Sequence, residues 1–79
     1  MNKEDRLKTI EKECVTMGLM YKDLWQRALD KRDEIDAINL SVDHPDIIEY
    51  YKRWKVADFF FREYNAYKFF LHKYFNQKI

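Results

Sequence analysis

The sequence predicts an all-α fold: two long antiparallel helices form a helical hairpin, and two such hairpins dimerise into a four-helix bundle. Three observations carry this expectation. The 79 residues include one Gly and one Pro, too few turn formers for a compact all-β or α/β domain. Apolar residues recur at three–four spacing through the first half of the chain, the period of one helix face. A single turn-rich block, Asn39-Leu40-Ser41-Val42-Asp43-His44-Pro45, divides the chain. The whole of 1–79 reads as one small helical domain.

The first helix is predicted over 3–38. Leu7, Ile10, Cys14, Met17, Tyr21, Leu24, Ala28, Ile35 and Ile38 occupy heptad a and d positions, with Lys31 the one polar interruption. Gly18 lies inside this pattern, and a mid-helix Gly costs about 1 kcal/mol relative to Ala. The heptad phase passes through it unshifted, so the helix is expected to be continuous, with Gly18 making room for a bulky neighbour.

The turn is predicted over 39–44. Pro45 suits the first helical position, and the residue before a Pro avoids the α region, so His44 or Asp43 should cap the next helix. Asp46 and Glu49 then lie in the first turn, where negative charge favours the helix dipole. Leu40 and Val42 are expected to fold back over the end of the core.

The second helix is predicted over 45–77. Its a and d positions are Ile47, Tyr50, Trp54, Ala57, Phe61, Tyr64, Lys68, Leu71 and Phe75; Val56, Phe60, Tyr67, Phe70 and Tyr74 form a second stripe beside them. Together the stripes cover an arc of roughly 160° at about 100° per residue. Antiparallel pairing gives a register in which facing residue numbers add to about 83, placing Leu24 opposite Phe59–Phe61, Ala28 opposite Trp54 and Val56, and Gly18 opposite Tyr64–Ala66. Met17, Leu24, Ala28, Trp54, Phe61 and Tyr64 are the predicted core. Acid-first pairs Glu4–Lys8, Asp23–Arg27, Glu49–Arg53 and Asp58–Arg62 should decorate the exposed faces.

Twelve of the fourteen aromatic residues fall in the second helix, more than one hairpin can cover. Leaving a large apolar side chain in water forgoes about 1.5–3 kcal/mol, and a contiguous exposed apolar surface marks an interface. The expected remedy is a homodimer; a host protein as partner would satisfy the same demand. Trp25, Phe60, Tyr67, Phe70 and Tyr74 are the candidate interface residues.

The chemistry-bearing residues are sparse. His44 and His72 have no His or Cys at helical spacing, Cys14 is the single cysteine, and Ser41 is the single serine. No Gly-rich phosphate loop occurs. No catalytic, cofactor-binding or metal-binding residue is therefore predicted, no cofactor is expected, and the chain is read as a non-enzyme. The segment Arg32-Asp33-Glu34-Ile35-Asp36-Ala37-Ile38 resembles the opening of the helical chorismate mutases, which are all-α dimers. The likeness covers seven residues, Pro45 interrupts the helix that would continue, and no active-site residue transfers.

Fifteen basic residues nearly balance fourteen acidic ones, so overall charge points to neither nucleic acid nor membrane. The local exception is the C-terminal stretch, where Lys68, Lys73 and Lys78 interleave with aromatics and no acid follows Glu63. Lysine holds phosphate and exposed rings stack on bases, which makes nucleic-acid binding the alternative function. No apolar run reaches the ~18 residues of a membrane span, and the charged start does not read as a secretory signal; a cytoplasmic location is expected. The reading that follows is a small protein–protein interaction module, a regulator or inhibitor of a host protein. Residue usage typical of AT-rich coding fits a phage or mobile element as its source.

Overall fold

The computed structural model describes residues 2–79 and consists of two α-helices and one short 3₁₀ turn, with no strand among the described residues. Helix α1 spans Lys3–Asp33 and helix α2 spans Pro45–Phe75. They pack antiparallel along their lengths into a rod measuring 59 × 18 × 14 Å. The all-α hairpin expected from heptad spacing is the observed architecture.

Each helix start has a local cause. Asn2 caps α1 by accepting the Asp5 backbone N–H at 2.8 Å, with Glu4 and Asp5 in the first turn. His44 caps α2, its Nδ1 accepting the Asp46 N–H at 3.0 Å, and Pro45 follows at the first helical position. Both caps satisfy an amide that the helix leaves without an internal partner.

The helix ends differ from the sequence-based expectation. Helix α1 stops at Asp33 rather than residue 38. Beyond it the backbone bonds tighten, Ile35 N–H to the Arg32 carbonyl and Ala37 N–H to that of Ile35; Ala37–Asn39 form the 3₁₀ turn, and Asn39 Nδ2 donates to Asp36 Oδ2 across it at 2.7 Å. Ile38 is consequently exposed rather than a heptad core residue, and Val42 also faces solvent while Leu40 is half-buried. From α2, Arg53 reaches the end of α1: its Nη1 donates to the Lys31 carbonyl at 2.6 Å and to Glu34 Oε2 at 3.1 Å. A cation thus meets one of the carbonyls that the helix C-terminus leaves free.

Helix α2 stops at Phe75, two residues short of expectation, because Asn76 takes a left-handed conformation (φ 51°, ψ 37°). The Asn76 N–H bonds to the Leu71 carbonyl, and the Gln77 N–H reaches the same oxygen at 3.1 Å. The following residues therefore turn back along the hairpin.

The fully or nearly fully buried side chains are Ala28, Ile47, Ala57, Tyr64 and Leu71. Three of them, Ala57, Tyr64 and Leu71, repeat every seven residues and mark the seam of α2. Flanking positions then divide between two sides of the hairpin. On one side, the Leu24 flank, Tyr21 packs against Phe60 and stacks on Tyr67 (centroids 6.3 and 5.9 Å apart). On the other, the Trp25 flank, Trp25 stacks on Tyr64 and tilts over Phe61 (5.9 and 4.9 Å).

This division corrects the predicted core. Ala28 and Tyr64 are buried, and Met17, Leu24 and Phe61 are half-buried, but Trp54 is 47% exposed. The buried residues of α2, Ile47, Ala57, Tyr64 and Leu71, all fall on the predicted a and d positions, but Arg53, Phe60 and Tyr67 are half-buried beside them while Trp54 and Lys68 are exposed. Lys68, at a predicted a position, is exposed, since its ammonium is costly to desolvate within the interhelical seam. Of the expected surface ion pairs, Asp23–Arg27, Glu49–Arg53 and Asp58–Arg62 form at 2.9–3.2 Å; Glu4–Lys8 does not.

Candidate interaction surface

Gly18 sits at the middle of α1 and the helix passes through it without a break. A Cβ here would overlap Ile79 Cδ1 and would lie 3.1 Å from Tyr67 Cβ. The bulky neighbour that the glycine accommodates is therefore chiefly the C-terminal isoleucine, delivered by the left-handed turn at Asn76. The Ile79 carbonyl accepts from Lys22 Nζ at 3.1 Å and from the Tyr64 hydroxyl at 3.3 Å. The tail lies on the Trp25 flank, where it forms a groove with Tyr64, Lys68 and His72.

The tail makes the two flanks unequal. On the Trp25 flank it interrupts the surface at mid-length, leaving toward the turn a shallow groove of about 260 Å³ between Trp25, Leu29, Trp54 and Phe61. That groove is edged by Asp58 and by Arg32, whose Nε donates to Asp33 at 2.9 Å; this hydrogen bond raises the Arg32 pKa above its ordinary value.

The Leu24 flank carries no covering segment. Its α1 edge reads Glu13, Met17, Met20, Leu24, Arg27 and Lys31, and its α2 edge reads Val56, Phe60, Glu63, Tyr67, Phe70 and Tyr74, each at the three–four spacing of one helix face. Met20 and Val56 are 42% and 50% exposed. Phe59 adds its ring edge-on to Phe60 at 5.6 Å.

The candidate interface residues are placed as follows. Trp25, Phe60 and Tyr67 are half-buried and make aromatic contacts across the seam, so each serves the hairpin itself with one face. Phe70 contacts Tyr74 and Phe75 within α2, and all three border a groove with Leu7 and Ile10 at the open end of the hairpin. Tyr74 is 63% exposed. Of the five, Phe60, Tyr67, Phe70 and Tyr74 share the α2 stripe of the Leu24 flank, while Trp25 belongs to the opposite flank.

The candidate phosphate-binding lysines do not converge. Lys68 lies over the Tyr64 ring at 5.7 Å on the tail side, and Lys78 borders the same groove. Lys73 lies instead between Phe69 and Tyr74, 5.7 and 5.4 Å from their centroids. Five residues of helix separate Lys68 from Lys73 by about 140° around the axis. Cation–π contact with the protein's own rings accounts for two of these ammonium groups.

Among the described residues no group of three or more His, Cys, Asp or Glu side chains could hold a metal ion. Cys14 is half-buried on α1, and His72 is exposed at the edge of the tail groove. No helix among the described residues is long and apolar enough to cross a membrane. No protein-family model, curated protein or solved structure matches this chain.

The part of the surface that sequence reasoning missed is the tail. Ile79 gave no periodic signal, lying outside both heptad series. The available hint was Asn76, a residue type that tolerates the left-handed conformation after a helix.

Proposed function

We propose that this protein is a non-enzymatic protein–protein interaction module that acts as an associated helical hairpin, regulating or inhibiting a host protein. One observation carries the reading: the hairpin is a single layer of two helices that buries five hydrophobic side chains and leaves twelve large ones exposed. Stable domains bury an apolar face against a second layer, and a chain of this size has little core with which to stand alone. Exposed apolar area of this extent is the usual mark of an interface. The divergence of Lys68 and Lys73 weighs against a nucleic-acid groove, which needs cations aligned along one track.

Affinity capture of the full chain from a host lysate, with and without nuclease, tests the reading. The expected result is stoichiometric enrichment of one polypeptide, unchanged by nuclease, together with a protein of more than monomer mass in sedimentation. Capture that disappears on nuclease treatment, or that falls steeply with salt, would replace this reading with nucleic-acid binding.

A further inference from the structure

The two flanks are alternative docking faces, and their geometry separates them. The broad face of the rod is about 59 Å long and 18 Å wide, on the order of 1,000 Å², against the roughly 800 Å² per partner of a standard stable interface. Only the Leu24 flank offers that area unbroken. The tail divides the Trp25 flank at Gly18 and Tyr64, leaving pieces of about half the size, below what a stable dimer needs.

The Leu24 flank also has a charge pattern that selects its occupant. Along α1 its apolar centre, Met17 to Leu24, is bounded by Glu13 toward the open end and by Arg27 and Lys31 toward the turn. Neither Glu13 nor Lys31 has an ion-pair partner among the described residues, and neither does Glu63, which is half-buried in the middle of the α2 stripe. A surface bearing opposite charges at equal distances from an apolar centre is complementary to itself after end-to-end reversal.

We propose that a second copy of this chain docks on the Leu24 flank, reversed end to end about a two-fold axis that crosses the hairpin near Met20 of α1 and midway between Glu63 and Tyr67 of α2. This inference rests on the association reading above and names its partner and face. Helix α1 then lies antiparallel on α1 of the second copy, and α2 on its counterpart, so every neighbouring pair in the four-helix bundle is antiparallel. Glu13 of each copy comes level with Arg27 of the other and within one helical turn of its Lys31, Val56 with Tyr74, and Phe60 with Phe70. Glu63 comes level with Tyr67, whose hydroxyl can donate to the carboxylate. The tail and Trp54 stay on the outside.

Sedimentation equilibrium of the full chain tests this, with circular dichroism to follow helix content. The wild type is expected at twice the monomer mass. Met20→Glu and Val56→Glu, each at a position already accessible to solvent in the single hairpin, should abolish the dimer, whereas Trp54→Lys on the opposite flank should leave the mass unchanged. Because a dissociated hairpin can lose helix as well as mass, the charge swap supplies an independent arm. Glu13→Lys should weaken the dimer roughly tenfold, corresponding to about 1.4 kcal/mol, and adding Lys31→Glu should restore the affinity. A dimer that survives Met20→Glu but not Trp54→Lys overturns the assignment of face and leaves association standing. Failure of the double charge variant to recover overturns the end-reversed orientation. A wild type that is monomeric at every concentration overturns both this inference and the self-association on which it rests.

Discussion

The Ile79 side chain fills the space that a Cβ on Gly18 would need. The one glycine of the chain and a C-terminal isoleucine thus interlock across the hairpin, and Lys22 and Tyr64 hold the same residue by its carbonyl. This contact decides which side of the rod is covered.

Gly18→Ala should release the tail with little change in global stability. The substitution gains helix propensity worth about 1 kcal/mol; against this it forfeits the seating of Ile79 and requires Tyr67, whose Cβ would lie 3.1 Å away, to shift by a few tenths of an ångström. Amide exchange at Gln77, whose N–H bonds to the Leu71 carbonyl, should accelerate while the melting temperature moves by only a few degrees. Retention of slow exchange in the tail would contradict the interlock.

Asn76 holds the turn that sends the tail back. Asn76→Val should destabilise by about 1–2 kcal/mol, the penalty of a left-handed conformation for a side chain of this kind, and should free the tail. Asn76→Gly should be neutral or slightly stabilising. Urea denaturation of the two variants should therefore shift in opposite directions or leave the glycine variant unchanged.

Arg53 ties the helix ends together through the Lys31 carbonyl, Glu34 and Glu49. Its side chain retains 30% exposure, so screening reduces what these bonds contribute. Arg53→Ala should lose about 1–2 kcal/mol by chemical denaturation. Arg53→Lys should recover only part of this, since a point charge cannot bond in three directions as the planar guanidinium does.

The two tryptophans should report different environments. Trp25 lies between Phe61 and Tyr64, whereas Trp54 is 47% exposed. Acrylamide should quench the fluorescence of a Trp25→Phe variant, which retains Trp54, more strongly than that of Trp54→Phe, which retains Trp25. Trp25→Ala should cost about 2–4 kcal/mol and Trp54→Ala under about 1 kcal/mol.

Much of the hairpin was legible before any coordinates. Pro45 preceded by His44 announced the start of α2, because the ring fixes φ and restricts its neighbour. The spacing of Cys14, Tyr21 and Ala28 announced a continuous α1 through Gly18, because helical period is a local property. The antiparallel register was close: Arg53 meets Lys31 and Gly18 meets Tyr67, within a few residues of the expected pairing. Less legible was which flanking residues of the seam are covered. Trp54 and Phe60 are both apolar and lie on adjacent stripes, and hydropathy alone does not say which of the two faces the neighbour. The candidate interface shared this ambiguity: the Phe60–Tyr74 stripe was found from spacing, while Trp25 was assigned to the same surface and lies on the opposite flank.

The sequence by itself determined two helices, their antiparallel order and the excess of aromatic surface, since each follows from residue spacing and turn chemistry within a few residues of chain. The tertiary structure decided the end of α1 at Asp33, the exposure of Trp54 and the covering of one flank by Ile79. The exposure of Trp54 and the covering by Ile79 depend on groups far apart in the chain, and at the end of α1 the distant Arg53 joins the local turn by bonding the Lys31 carbonyl. The seam buries Ala57, Tyr64 and Leu71 while Lys68 stays in water, and the left-handed residue at Asn76 turns the tail toward the one position in α1 that lacks a side chain.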